Sequence, residues 1–293
     1  MHKLPVEKRI QILGLLVEGS SLRSISRAAD VSINTVTKLL VDAGTVCTSF
    51  HDEKVRDVRA KRVQCDEIWS FRHSKAKNVP EHKRGEAGDL WTWTGLEADS
   101  YLIISWTVGG RDSSYAMTFM DDLRSRLADC VQLTTDGHRA YLEAVEGAFG
   151  SDLDHAMLVK LYGESPEAEK RYSPAECIGA RKPRIEGNPN LADVTTSYTE
   201  RHNVTMRMHM RCFTRLTNAF SKKIDHHRHS LALYFVWYNW IRLHKAHRMT
   251  PAMAVGLTDR LMDMGDIVRL IDDTEMKATI QARSALFAAS QSN

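Results

Sequence analysis

The first 44 residues alternate apolar and polar positions at helical spacing, in three blocks separated by turn residues. Residues 4–18 and 21–30 predict two helices. Ser32 is a suitable N-cap for a third helix over residues 33–44, and Gly44 is expected to end that helix. The pattern therefore predicts three helices that pack around a shared apolar side.

The third of these helices has a polar outer side. The residues expected to point inward are Ile33, Val36, Leu39 and Leu40. In a helix-turn-helix pair the second helix contacts the DNA major groove, so Asn34, Thr35 and Lys38 are candidate DNA-binding residues. A plain three-helix bundle without DNA contacts is the alternative.

The spacing of apolar residues changes after a polar and basic linker over residues 46–62. Short runs with a period of two then alternate with helical patterns. Strands are expected over 62–71, 90–98, 101–109, 131–137 and 155–163, and helices over 113–129 and 138–149. Strand, hairpin, helix, strand, helix and strand in this order predict an α/β layer with a mixed sheet.

The rest of the chain contains an irregular segment and further helices. Residues 164–196 hold four of the seven prolines and show little periodicity, which predicts an insertion or loop. A long helix is expected over about 197–223 and another over 230–245, followed by a C-terminal segment. His226, His227 and His229 have no cysteines at metal-binding spacing, so they are expected to form a solvated linker.

Three acidic residues lie where an α/β sheet would bring side chains together. Asp66 is in the middle of the first strand, Asp136 ends a later strand before a glycine, and Glu200 is near the start of the long helix. Carboxylates alone favour Mg²⁺ or Mn²⁺. Two such ions assist phosphodiester chemistry. Each residue also has a plainer role: a satisfied core carboxylate, a turn residue, or an acid favoured by the helix dipole.

Glu67, next to Asp66, is expected to point to the opposite side of the strand. There it would form a local hydrogen bond or salt bridge instead of binding metal. The reverse assignment, in which Glu67 is the functional carboxylate and Asp66 is structural, is the alternative at this position.

The predicted long helix has a basic side that begins at Glu200. Its members at helical spacing are Glu200, Asn203, Arg207, Arg211, Arg215, Asn218 and Lys222. Arg207, Arg211 and Arg215 are therefore candidate phosphate-binding residues. A helix side exposed only to solvent is the alternative, although such surfaces usually mix both signs of charge.

Composition narrows the class of protein only slightly. The chain has 293 residues, 43% of them hydrophobic and 26% charged, with a formal net charge of +3, so total charge alone does not indicate nucleic-acid binding. The five cysteines include no CxxC pair, which argues against a zinc finger. No apolar run is long enough to span a membrane, so a cytoplasmic, nucleoid-associated protein without membrane partners is expected.

Four segments, QCDEIWSF, TTDGHRAY, SYTERHNVTMR and YFVWYNWIRLHKAHRMTPAMAVGLTD, occur in an order that resembles the DDE transposases of the insertion sequence one type. The resemblance covers about residues 4–270. It implies an RNase H-like core that cuts and joins double-stranded DNA at the ends of a mobile element, with two Mg²⁺ or Mn²⁺ ions. It also implies that Asp66, Asp136 and Glu200 are the acidic triad, and that the protein acts as a homo-oligomer on DNA.

The resulting expectation is an α/β, RNase H-like catalytic core with a mixed sheet, preceded by an all-α helix-turn-helix domain. The expected divisions are 1–45 for the helix-turn-helix, 46–62 for the linker, 63–250 for the core with its insertion at 164–196, and 251–293 for the C-terminal segment. Arg207 matches the basic residue that DDE enzymes often place two turns after the glutamate. The stretch between Asp136 and Glu200 is long for this class. A DNA-binding regulator and a nuclease without strand transfer are the rival functions.

Overall fold

The computed structural model describes residues 3–163, 176–214 and 219–291, with side chains as far as residue 284. The chain divides into two compact units. The sheet unit comprises Val55–Met206, and the helical unit comprises Met1–Lys54 and Arg207–Asn293. No helix in the described ranges is long and apolar enough to cross a membrane.

The sheet unit confirms the predicted α/β class with a mixed sheet. Its strands are β1 (Arg62–Arg72), β2 (Gly88–Glu97), β3 (Ile103–Gly109), β4 (Gln132–Asp136), β5 (Asp154–Tyr162), β6 (Cys177–Arg181) and β7 (Arg184–Glu186). The order is β3-β2-β1-β4-β5-β6, and β7 also pairs with β5. Strands β2 and β3 are antiparallel to their neighbours, whereas β1, β4 and β5 run parallel.

Two helices of the sheet unit, α4 (Ser113–Arg126) and α5 (Ala140–Phe149), follow β3 and β4. Their apolar residues form a core with the sheet around Trp93, Phe119 and Tyr141, all fully buried. The Trp93 ring lies 6.0 Å from Phe119 and 5.4 Å from Tyr141, measured between ring centroids. This aromatic cluster fixes the two helices against β2, the neighbour of β1 in the sheet.

The irregular segment predicted over residues 164–196 lies partly outside the described residues, at 164–175. The prediction was wrong for residues 177–186, because β6 and β7 form there and pair antiparallel with β5, whereas residues 187–196 form neither helix nor strand, as predicted. Pro183 lies between these two short strands and interrupts the alternating pattern that would have predicted them. Proline is tolerated in that position because the strands are at the margin of the sheet.

The helical unit begins with α1 (Val6–Val17), α2 (Leu22–Ala28) and α3 (Ile33–Lys54). Ser32 accepts a hydrogen bond from the Thr35 backbone N–H at 3.1 Å, as expected of an N-cap. The predicted inward position of Ile33 was wrong, since this side chain is 39% exposed. Val36, Leu39 and Leu40 are buried as predicted.

Helix α3 continues ten residues beyond its predicted end. A Cβ atom at Gly44 would lie 2.3 Å from the Cβ atom of His229, which belongs to α7 (Ile224–Val236). Gly44 therefore allows α3 and α7 to approach each other closely instead of ending α3. The predicted solvated histidine linker was also wrong: His227 is buried within α7, where Ser221 contacts its Nδ1 at 2.9 Å and burial lowers its pKa to about 4.

The predicted long helix over 197–223 was wrong as well. Helix α6 (Ser197–His209) ends early, and the chain adopts extended geometry at Met210 before a 3₁₀ turn over Arg211–Phe213. Met210 and Phe213 are buried, and the Phe213 ring lies 5.4 Å from the His227 ring. The helix ends here because the chain turns to bury these two side chains.

The C-terminal region is helical. Helix α7 continues into a π-helix over Trp237–Ile241 and is followed by α8 (Pro251–Ala254) and α9 (Met264–Gln291). Helix α9 packs against the first helices through Arg9, whose guanidinium donates two hydrogen bonds to Asp272 at 2.6 and 2.9 Å. The N-terminal helices therefore share their core with α7 and α9.

Candidate functional site

The parallel pairing of β1 and β4 brings two acidic residues together. Cys65 pairs with Thr135 in this register, so the next residue along each strand is Asp66 on β1 and Asp136 on β4. One oxygen each of Asp66, Glu67 and Asp136 lies within 4.8 Å of the other two. The sequence prediction that Asp66 and Asp136 approach each other is thus met by the geometry of the strands.

Glu67 was predicted as a site residue only in the alternative in which it replaces Asp66. Alternation along β1 predicts that its side chain points away from that of Asp66, and Arg111 forms a salt bridge with it at 3.4 Å. Its carboxylate nevertheless lies in the same cluster of oxygens as Asp66 and Asp136. The only signal in the sequence was the adjacency of the two acids, because a period of two separates neighbours onto opposite sides.

Glu200 lies in the first turn of α6 but does not belong to this cluster of oxygens. Its carboxylate accepts hydrogen bonds from Lys160 on β5 and from the Thr196 hydroxyl, both at 2.5 Å. Its negative charge still acts on Asp66, where it contributes to a raised pKa. The described structure therefore brings together two of the three predicted acids and holds the third in a separate ion pair.

Helix α6 reaches the site through a different residue, Asn203. The Gln64 side chain on β1 accepts hydrogen bonds from the backbone N–H groups of Tyr198 and Thr199, which fixes the start of α6 on the strand. One turn after Glu200, the Asn203 amide donates to Asp66 at 2.8 Å. Its spacing of three residues from Glu200 was the available signal, since residues at i and i+3 are neighbours on a helix.

The electrostatics of the cluster favour a bound cation. Burial, followed by the negative charge of Asp136, raises the pKa of Asp66 to about 7. The same two causes raise the pKa of Glu67 to about 8, although Arg111 opposes them. Carboxylates that are this close and this poorly solvated ionise fully only when a positive charge compensates them.

The donor set fits a divalent ion that prefers oxygen. The cluster consists of carboxylates, and the Asn203 Oδ1 atom is buried with no hydrogen-bond partner among the described residues. A buried amide oxygen without a partner is costly, and a hard cation would satisfy it. Asp66, Glu67, Asp136 and Asn203 therefore match the ligands of Mg²⁺ or Mn²⁺.

The candidate DNA-binding residues lie in the helical unit. Asn34 and Lys38 are exposed on α3, Thr35 is half-buried, and Lys38 forms a 2.5 Å ion pair with Asp42 one turn later. Arg207 is half-buried near the end of α6 and Arg211 is exposed in the 3₁₀ turn. Because α6 ends at His209, these two arginines do not form one helical stripe. Arg215 lies outside the described residues.

No protein-family model and no curated protein matches the chain. Solved structures similar to it include the synaptic complex of piggyBac transposase with hairpin DNA, at 13% identity and a TM-score of 0.39, covering 92% of this chain and 72% of that chain. The Mos1 mariner paired end complex with Mn has 13% identity and a TM-score of 0.21, with coverage of 50% and 59%. The Mos1 strand transfer complex has 11% identity and a TM-score of 0.24, with coverage of 80% and 78%. These structural neighbours are DNA transposases.

Proposed function

We propose that this protein is a DDE-type DNA transposase of the insertion sequence one kind. It would bind the ends of a mobile element and catalyse metal-dependent cleavage and transfer of DNA strands. The observation that supports this function most strongly is the convergence of Asp66, in the middle of β1, with Asp136, at the end of β4. The pKa values of Asp66 and of the neighbouring Glu67 are raised there. Such a site suits Mg²⁺ or Mn²⁺ rather than a soft metal.

In this proposal the residues of the site bind and orient. Asp66 and Asp136 hold the ions, and Asn203 keeps the Asp66 carboxylate in place through its amide N–H. Two bound ions would supply activation of the attacking oxygen and stabilisation of the leaving oxygen. The attacking group would be water in cleavage and the 3′-hydroxyl of the element in transfer, and no covalent bond to the protein is needed.

The helix-turn-helix supplies recognition in the same proposal. Asn34, Thr35 and Lys38 would contact base edges of the element ends, and Arg207, Arg211 and Arg215 would contact phosphates. Replacing Asn34, Thr35 and Lys38 by alanine should lower the preference for element ends more than the general affinity for duplex DNA, because base contacts determine specificity. Equal losses on both kinds of DNA would contradict these roles.

An assay with the DNA that flanks the gene, a target plasmid and Mg²⁺ tests the function. Wild-type protein should cut the element end and join it to the plasmid. Asp66→Asn and Asp136→Asn should each lower both rates by about a thousandfold, equivalent to about 4 kcal/mol of transition-state stabilisation. Asp152→Asn is the matched control, because Asp152 is an exposed acid that pairs with Arg124 away from the cluster.

Each outcome of this assay separates the rival functions. Cutting without joining would favour a nuclease, and binding of element ends without either reaction would favour a regulator. Full activity in both aspartate variants would contradict the metal site itself.

The identity of the third acidic ligand is decided by a pair of variants. Glu200 is the residue that the family resemblance implies, whereas Glu67 is the acid that lies in the cluster. We assign Glu200 to the triad, with release from Lys160 as DNA and metal bind. Glu200→Gln should then reduce strand transfer as strongly as Asp66→Asn, and Glu67→Gln should reduce it far less. A larger loss of strand transfer in Glu67→Gln than in Glu200→Gln would instead make Glu67 the third acidic ligand.

A further inference from the structure

A positively charged side chain, Arg111, spans the acidic cluster. Its Nη2 atom lies 3.4 Å from an oxygen of Glu67 and 3.4 Å from an oxygen of Asp136. Charge-assisted hydrogen bonds of a guanidinium usually measure about 2.7–2.9 Å, so both contacts are long. Arg111 therefore neutralises part of the cluster without being bound tightly to either carboxylate.

The loop that bears Arg111 is fixed, although its side chain is not enclosed. The Trp93 indole N–H donates to the Gly110 carbonyl at 3.0 Å, and Asp112 caps α4 by accepting from the Ser114 backbone N–H at 3.0 Å. A Cβ atom at Gly109 would lie 1.8 Å from the Tyr115 ring, so the chain passes there only because this residue is glycine. The Arg111 backbone is thus held between two anchored neighbours.

The side chain of Arg111 has one face on an aromatic ring and an open path to solvent. Its guanidinium lies 4.6 Å from the centroid of the Trp91 ring, and 37% of the side chain is exposed. The guanidinium can rotate within its own plane and stay stacked on Trp91, because the attraction to the ring does not depend on that rotation. Arg111 can therefore leave the carboxylates while it keeps this contact.

We propose that Arg111 is a displaceable counter-ion: it pairs with Glu67 and Asp136 in the absence of metal, and divalent ions that bind these carboxylates release it to contact a DNA phosphate. The inference rests on the proposed metal site. A guanidinium and a divalent cation cannot occupy the same carboxylate oxygens without repulsion. A planar guanidinium donates two parallel hydrogen bonds to a phosphate, which an exposed arginine beside the cleavage site can supply.

The first consequence is competition between Arg111 and metal. Arg111→Gln should bind Mn²⁺ about three- to tenfold more tightly than wild type in low salt at pH 8, as measured from free Mn²⁺ by electron paramagnetic resonance. This range corresponds to the free energy of a partly exposed ion pair, which metal binding no longer has to break in the variant. Arg111→Lys keeps the charge and should stay within about threefold of wild type.

Arg124 offers a matched control. It is 38% exposed, lies 3.3 Å from Asp152 and is placed 5.9 Å from the Phe149 ring centroid, so it resembles Arg111 in exposure, in having an ion pair and in having an aromatic neighbour. Arg124→Gln should leave Mn²⁺ affinity unchanged. If Mn²⁺ affinity rose equally in both variants, the cause would be the lower total positive charge of the protein, and the inference would be overturned. Weaker or unchanged Mn²⁺ binding in Arg111→Gln would also overturn it.

The second consequence concerns DNA. The affinity for a random-sequence duplex, measured by fluorescence anisotropy, should depend more steeply on salt concentration with Mn²⁺ than without it. The slope of log K against log salt should change by about one, the amount expected for one added phosphate contact. Arg111→Gln should show no such metal-linked change. If this variant does not fold, the wild-type protein alone provides the test, and an equal slope with and without Mn²⁺ overturns the inference.

These measurements also separate the two proposals. If wild-type protein binds no Mn²⁺, or if Asp66→Asn binds it as well as wild type does, the metal site fails and the counter-ion role fails with it. If wild type binds Mn²⁺ through Asp66 and Arg111→Gln binds it no more tightly, only the role of Arg111 fails.

Discussion

At the scale of single residues, burial of the acidic cluster lowers the free energy of unfolding of the metal-free protein, and a bound metal ion would raise it again. The carboxylate of Asp66 is held by the Glu67 backbone N–H at 2.9 Å and by Asn203 at 2.8 Å, yet its pKa is raised to about 7. Two hydrogen bonds are therefore insufficient compensation for the loss of solvent and the nearby negative charge of Asp136. Buried carboxylates with strongly raised pKa values are typical of functional sites, because they destabilise the fold in the absence of a ligand.

This cost predicts how the metal-free protein responds to pH. The pKa of Asp66 rises from 3.8 to about 7 on folding, so the folded state binds a proton that the unfolded state has already lost between about pH 4 and pH 7. The free energy of unfolding should therefore fall as pH rises through this window, by a few kcal/mol, since one pKa unit is about 1.4 kcal/mol. Urea unfolding in a chelator measures it.

Asp66→Asn removes this contribution and should be more stable than wild type at pH 8 in the chelator, with little difference at pH 4. Asp152→Asn, at an exposed position, should keep the wild-type dependence. A wild-type stability that rises between pH 5 and pH 7 while that of Asp66→Asn does not would contradict the raised pKa of Asp66.

At the scale of elements, the sequence predicts strands and helices well where local pattern and packing agree. β1 and β4 follow from alternation and from the turn after Asp136, whereas the order of strands in the sheet is known only from the structure. The ends of α3 and α6 were predicted wrongly, because distant partners determine them. Gly44 is used for the close approach of His229, and Met210 leaves helical geometry to be buried. Neither partner is visible in a local window of sequence.

Two helix-interior glycines provide a paired prediction at this scale. Gly44→Ala should lower the free energy of unfolding by about 1–3 kcal/mol, because its Cβ atom would lie 2.3 Å from that of His229. Gly14→Ala in α1 meets no atom within 4 Å and should raise stability by up to about 1 kcal/mol, the helix propensity difference. Thermal unfolding of both variants measures this, and a stabilising Gly44→Ala would contradict the close contact of α3 with α7.

The site illustrates the same limit. Asp66 and Asp136 could be predicted because neighbouring strands of an α/β sheet bring the middle of β1 close to the end of β4. Arg111 could not, since it lies in a loop whose position depends on Trp93 and on glycines at 109 and 110. Asn203 was visible only as a member of a polar helix side, and its contact with Asp66 depends on how Gln64 anchors α6.

At the scale of the whole molecule, the helical unit is assembled from two distant parts of the chain, whereas the sheet unit is the continuous segment Val55–Met206. The N-terminal helices pack with α7 and α9, so the helix-turn-helix region shares a core with segments more than 170 residues away in the sequence. Arg9 is 5% exposed, and its two hydrogen bonds to Asp272 on α9 neutralise a charge that would otherwise be buried alone. Asp272 responds with a pKa lowered to about 2.

Asp272→Asn should therefore destabilise the helical unit by about 1–3 kcal/mol, the cost of leaving a buried charged donor without its ionised partner. Asp273→Asn, at the neighbouring exposed position, is the matched control and should change stability by less than about 0.5 kcal/mol. Urea unfolding followed by circular dichroism measures both. Equal stabilities of the two variants would show that α9 does not support the N-terminal helices through this pair.

We propose that Asp66 and Asp136 converge to hold divalent metal for reactions on DNA. The most direct test of this proposal is anomalous diffraction from crystals of the protein soaked in Mn²⁺. We expect a manganese peak with oxygens of both Asp66 and Asp136 at about 2.0–2.2 Å, and no such peak in Asp66→Asn crystals. An ordered cluster that shows no manganese in the wild-type crystals, or manganese bound only elsewhere, would contradict it.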